Sequence, residues 1–251
     1  MSDISRISPR ANRPAGPGAL GVIGGVLLAG IILAGMLMAQ TPVGNTIGAF
    51  LNWLFAAQSA QVTWYITRAA GLTAYLVLWL SVAWGLAISN KILSPVLHGS
   101  YTYDFHEFLS LLAIGFTALH LGALLFDRYM PYNLAQLFIP FLSPYRPFWV
   151  GVGVIGFYLV ILVTVTFYMR KKIGMKAFRT IHLLSLVSYI GVTLHGFFSG
   201  TDSSLPAAQI MYASTFLVTV FLLSYWLILL RQKKSAKAVP ARINERIPRL
   251  Q

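Results

Sequence analysis

Cysteine is absent from this 251-residue chain. Its absence excludes a thiolate-held iron–sulfur cluster, a CxxCH haem attachment and any disulfide. Charge is scarce as well. Only 10% of residues are charged, against roughly 25% in an ordinary soluble domain. Six residues are acidic, and Asp104, Glu107, Asp127 and Asp202 all fall at the ends of apolar segments. No acid–base or nucleophilic constellation is visible among them.

What the chain has instead is apolar length, with 57% hydrophobic residues. The sequence predicts an all-α, polytopic membrane six-helix bundle, with spans of about 20 residues joined by short loops. A basic tail covers residues 1–18, the bundle 19–230 and a second basic tail 231–251. The first apolar run, Ala19–Ala39, is too long for a signal peptide and lacks a small-x-small cleavage site, so it reads as an uncleaved anchor. The remaining spans are expected at Ile66–Ser89, Tyr103–Phe126, Pro147–Met169, Lys176–Ser199 and Ala207–Leu230. Between the third and fourth of the six, residues 127–146 are rich in proline and aromatics and are expected to lie along the membrane surface.

The formal net charge of +13 would suit a nucleic-acid partner if it formed one patch. It does not; sixteen of the nineteen Lys and Arg residues fall on one side of the expected topology, leaving Arg68, Arg128 and Arg146 on the other. The partner implied is the lipid bilayer, not nucleic acid. The positive-inside rule then places both termini in the cytoplasm, in a cell inner membrane.

The chemistry is carried by histidine. Four of the five lie in two apolar segments, His106 and His120 in the first, His182 and His195 in the second. Thirteen residues separate the first pair and twelve the second, so each pair spans roughly 20 Å of helix axis. Imidazole in a bilayer needs a hydrogen bond, a proton or a metal. One isolated histidine is most simply a hydrogen-bonded packing residue, but four matched in depth on two helices point to ligation of two haem irons, one above the other. A single zinc or copper ion needs all its ligands within about 2 Å, which two separate levels cannot supply. A histidine-based proton or metal transporter is the competing class.

Helical geometry fits one pair better than the other. Fourteen steps bring His120 within about 40° of His106, whereas thirteen leave His195 about 140° from His182. Overwinding, a kink near Ser188 or Gly191, or haems held at different azimuths would reconcile this. Arg68 and Arg146 are candidates for pairing with haem propionates, or else interfacial arginines reaching lipid headgroups. His98, in a loop, reads as solvated. Trp79, Trp84, Phe116 and Tyr189 read as packing.

The paired histidines on the third and fifth of six helices resemble the ferric reductase-like transmembrane domain shared by ferric reductases and NADPH oxidases. The likeness covers about Tyr65 to Leu230. The stretches RAAGLTAYLVLWLSVAWGL, SPYRPFWVG and HGFFSGTDS are similar to bacterial stand-alone members, among them the haem subunit of the methionine sulfoxide reductase system. The resemblance implies two haem b groups, an inner one on His106 and His182 and an outer one on His120 and His195, with electrons moving outward from the cytoplasm. The larger family enzymes add a flavin and nicotinamide domain, whereas this sequence shows no dinucleotide-binding fold. The electron donor is therefore expected to be a separate cytoplasmic flavoprotein or a membrane quinol. An acceptor or redox partner protein is expected on the outer side, with the chain acting either as a reductase or as the relay subunit of a larger complex.

Overall fold

The computed structural model describes residues 30, 37, 41–46, 49, 61–127 and 130–246. The expected anchor at 19–39 and the tail at 1–18 lie outside these residues but for positions 30 and 37, as does Arg128. From residue 61 onward the chain forms α1 (Gln61–Ser89), α2 (Gly99–Leu125), α3 (Leu134–Phe138), α4 (Pro147–Ile173), α5 (Met175–His182), α6 (Leu184–Ser199) and α7 (Pro206–Arg246). No strand occurs among the described residues. Five stretches are long and apolar enough to cross a bilayer, namely Thr63–Ser89, Gly99–Leu125, Pro147–Ile173, Met175–Ser199 and Pro206–Gln232. The protein is an all-helical, multi-pass membrane protein.

Local sequence sets the helix ends. Pro147 opens α4 directly after Arg146, the missing N–H costing nothing at a first turn. At the other end Arg170, Lys171 and Lys172 sit in the last turn, where cations suit the helix dipole, and Gly174 at φ 83° stops the helix. Within the 127–146 connection, Asn133 and Gln136 cap α3 reciprocally, at 2.9 and 3.0 Å. Hydroxyls inside the apolar helices return to their own backbone, Thr117 to the Ala113 carbonyl at 2.8 Å and Thr193 to that of Tyr189 at 2.7 Å. None of these groups is left to the lipid. The C-terminal stretch expected as a tail continues α7 as helix to Arg246, which its Ala, Lys, Arg and Gln content favours.

Two antiparallel pairs make up the bundle. α1 packs along α2, and α4 packs along α5 and α6, while α1 also touches α6 and α7 and so ties the pairs together. The core at that junction is Tyr75, Val82, Leu86, Tyr189 and Tyr212. Polar contacts fix α7 on α1. The Tyr75 and Thr215 hydroxyls meet at 2.5 Å, Trp79 Nε1 donates to the Thr215 carbonyl at 3.0 Å, and Asn90 donates to the Leu222 carbonyl at 3.1 Å. α6 crosses α4 at Ser188, which is fully buried and donates to the Gly156 carbonyl at 2.8 Å. A small residue at this crossing lets the two backbones approach.

Candidate functional site

α2 and α6 make at most sparse contact with each other, so a gap runs between them. The histidines reach across it. His106 on α2 faces His182 at the end of α5, with ring centroids 6.0 Å apart and planes at 76°. His120 faces His195 on α6 at 6.5 Å and 75°. His106 and His182 lie toward the end of the bundle that carries Arg170, Lys171, Lys172 and Arg179, called the basic end below. His120 and His195 lie toward the far end.

The angular mismatch on the second segment has a structural answer. Helix is interrupted at Leu183, between the end of α5 at His182 and the start of α6 at Leu184. Leu183 has φ −63° and ψ −20°, nearer 3₁₀ than α geometry. The break falls beside the histidine, not at Ser188 or Gly191, and both histidines of this segment face partners on α2.

Hydrogen bonds decide which ring nitrogen is free. His120 Nδ1 lies 2.8 Å from the Thr67 carbonyl and His195 Nδ1 3.0 Å from the Trp149 carbonyl. A carbonyl only accepts, so each Nδ1 carries the proton and each Nε2 keeps its lone pair. His106 follows by counting protons. Ser110 donates to the His106 carbonyl at 2.9 Å, so Ser81, 2.9 Å from Ser110, donates to Ser110, and its oxygen accepts from His106 Nδ1 at 3.3 Å. His182 is the exception; its Nδ1 is buried without a hydrogen-bond partner among the described residues.

Glycine makes room for the rings. A Cβ on Gly71 would stand 2.9 Å from His120 Nδ1, one on Gly85 3.1 Å from His106 Cε1, and one on Gly153 2.6 Å from both Cγ and Nδ1 of His195. Each level also has its own cavity. The far-end pair lines one of about 500 Å³, shared with Thr67, Arg68, Gly71, Tyr75 and Asp202, within the roughly 300–1,000 Å³ of cofactor and ligand pockets. The basic-end pair lines a tighter one of about 110 Å³, with Ser81, Gly85, Val163 and Leu186 among its walls.

Arg68 stands in the wall of the large cavity, ion-paired with Asp202 and stacked over Trp64 at 3.8 Å. Arg146 does not line it. Its guanidinium donates to the Phe198 carbonyl and lies over the Tyr145 ring at 5.2 Å. His98 is exposed, its carbonyl accepting from Thr102 at the start of α2. Trp84 packs on Phe105 and donates to the Thr102 carbonyl at 2.9 Å. Among the described residues no group of three or more His, Asp or Glu side chains could hold a bare metal ion.

No protein-family model, no curated protein and no solved structure matches the chain.

Proposed function

We propose that the chain is a ferric reductase-like six-span membrane protein, its sixth span at 19–39. It moves single electrons across the bilayer through two haem b groups, one held by His106 and His182 and the other by His120 and His195. The observation that carries this reading is the repeated imidazole pair. A metal–imidazole nitrogen bond is about 2 Å and the ring centre lies roughly 1 Å further back, so an ion between two facing rings sets their centroids about 6 Å apart. The two pairs stand at 6.0 and 6.5 Å. Two protein ligands alone do not hold a bare ion, so a metal at either level brings equatorial donors of its own, as a porphyrin does.

The fit differs by level. At the far end ring spacing, ring room and cavity volume all suit the macrocycle. At the basic end ring spacing and the Gly85 recess suit it, while the cavity of about 110 Å³ is too small for a macrocycle unless its walls, Leu78, Val163 and Leu186 among them, move aside. His106 with His182, and His120 with His195, would hold the haems, each of which would supply a one-electron iron couple.

The side chains supply the rest. The Thr67 and Trp149 carbonyls and the Ser81 hydroxyl hold Nδ1–H of three ligands, fixing ring orientation and raising basicity at Nε2. Arg68 offers its charge to a propionate in exchange for Asp202. Tyr75, Tyr189 and Tyr212 pack together in the core, and Tyr75 and Tyr212 also wall the far-end cavity. The basic end faces the cytoplasm in this reading, where a separate flavoprotein, or a quinol within the membrane, delivers electrons to the His106 and His182 level. The acceptor, a small molecule or a redox partner protein, takes them by outer-sphere transfer beside His120 and His195.

The test is a dithionite-reduced minus oxidised spectrum of the detergent-purified protein, with its haem-to-protein ratio, on the parent and on His106→Ala and His120→Ala. The expected result is two low-spin b haems per chain and loss of about one in each variant. A colourless protein, expressed with adequate haem, sinks the proposal and returns the histidines to proton or metal transport.

A further inference from the structure

The wall of the far-end cavity is divided. Leu72, Ala113, Leu121, Val150, Val154 and Phe157 belong to its apolar part. Thr67, Arg68, Ser199 and Asp202 bring polar groups to it, and Arg68 is ion-paired with Asp202. The other two are left over. Thr67 Oγ1 and Ser199 Oγ are buried with no hydrogen-bond partner among the described residues. A hydroxyl in a helix can return to the carbonyl four residues back, which for these two is that of Thr63 and His195, and neither bonds it. Two neighbours on the same wall behave in the ordinary way, Thr117 donating to the Ala113 carbonyl at 2.8 Å and Ser203 to that of Gly196 at 3.1 Å. A hydroxyl kept from water and left unpaired is costly, so one that lines a cavity marks where an occupant brings an acceptor. Both stand beside the imidazole pair. The Thr67 carbonyl holds His120 Nδ1, and Ser199 follows His195 by about one helical turn.

We propose that Thr67 Oγ1 and Ser199 Oγ, together with Arg68, form a carboxylate-binding site in this wall, and that the carboxylate it takes is a haem propionate. This assignment rests on the far level being a haem site, and it adds the residues that hold the acid end of the group, apart from those that face its iron. Two hydroxyls and a guanidinium can all donate, which suits an anion that only accepts. The apolar remainder of the wall suits a hydrocarbon body attached to that anion. Thr67 then serves twice, its carbonyl on the His120 ring and its hydroxyl on the carboxylate.

The experiment uses the full chain in detergent, as the parent, Thr67→Val, Ser199→Ala and Thr67→Ser. Haem per chain is measured first, and a parent without haem overturns the haem reading and this assignment together. Release of haem to excess apomyoglobin is then followed by absorbance. Thr67→Val and Ser199→Ala should each speed the loss of one haem about tenfold, as expected for a lost hydrogen bond to a charged group, and leave the other haem at the parent rate. The effect should vanish in a His120→Ala background, which lacks the far-end haem. Thr67→Ser, which keeps the hydroxyl, should stay near the parent. A second arm loads the chain with haem dimethyl ester, in which both carboxylates are blocked. Parent and variants should then release the far-end group at one common rate. A parent rate of haem loss in Thr67→Val or in Ser199→Ala overturns the assignment and leaves the haem reading standing. So does a tenfold effect that persists with the ester, because the hydroxyls would then be acting on the fold and not on a carboxylate.

Discussion

At the scale of single residues, the imidazoles are positioned as much by what is missing beside them as by what touches them. Gly153 is the sharpest case, because a Cβ there would stand 2.6 Å from the His195 ring, inside any real carbon contact. Gly153→Val should therefore turn His195 away from His120 and cost the protein about half its haem, read as haem per chain. Gly115→Val, on α2 with nothing within 4 Å of its would-be Cβ, should leave both haems in place. Equal loss in both variants would mean that general helix damage, not ring clearance, is being measured. The histidines were legible in the sequence because a polar ring in an apolar run is expensive and stands out. The glycines were not, since glycine is common in membrane helices. Yet Gly71 and Gly85 repeat the fourteen-step interval of His106 and His120 on the antiparallel neighbour, a signal that becomes readable once α1 and α2 are known to pair. Arg68 lines the far-end cavity, and its ion pair with Asp202 depends on a loop more than a hundred residues away that no local pattern specifies.

At the scale of elements, the positions of the five described spans followed from hydropathy within a few residues, because bilayer thickness fixes span length. The interruption at Leu183 did not. Neither proline nor glycine marks it, and the thirteen-step misfit between His182 and His195 left a kink, overwinding and different haem azimuths equally open. What holds α6 in register on α4 is their crossing at Ser188, which has no exposed surface and bonds the Gly156 carbonyl. Two substitutions separate its hydrogen bond from its size. Ser188→Ala keeps the close approach and should cost about 0.5–1.5 kcal/mol of stability. Ser188→Leu overpacks the crossing, should cost about 1–3 kcal/mol, and should loosen His195 against Trp149 as α6 moves off α4. Thermal unfolding in detergent, with the outer haem band followed alongside, checks both. A Ser188→Leu protein as stable as Ser188→Ala would mean that the helices have slack at this point.

At the scale of the whole molecule, the proposed direction of electron flow depends on which end faces the cytoplasm. The described basic turn, with Arg170, Lys171, Lys172, Lys176 and Arg179, lies at the end of His106 and His182. The opposite end carries the 200–206 loop, where Arg68 meets Asp202. Loops rich in Lys and Arg stay in the cytoplasm, so the proposal predicts opposite accessibility for the two ends. The chain's lack of cysteine makes this directly measurable, since a single introduced thiol has no background. Lys172→Cys, in the basic last turn of α4, and Ser204→Cys, in the 200–206 loop, both replace exposed residues. In intact cells whose outer layers admit the reagent, a membrane-impermeant maleimide should label Ser204→Cys and spare Lys172→Cys, which should react only after the membrane is opened. The reverse pattern would turn the molecule over. His120 and His195 would then be the entry level, the donor would have to dock beside Arg68 and Asp202, and electrons would leave past the basic turn.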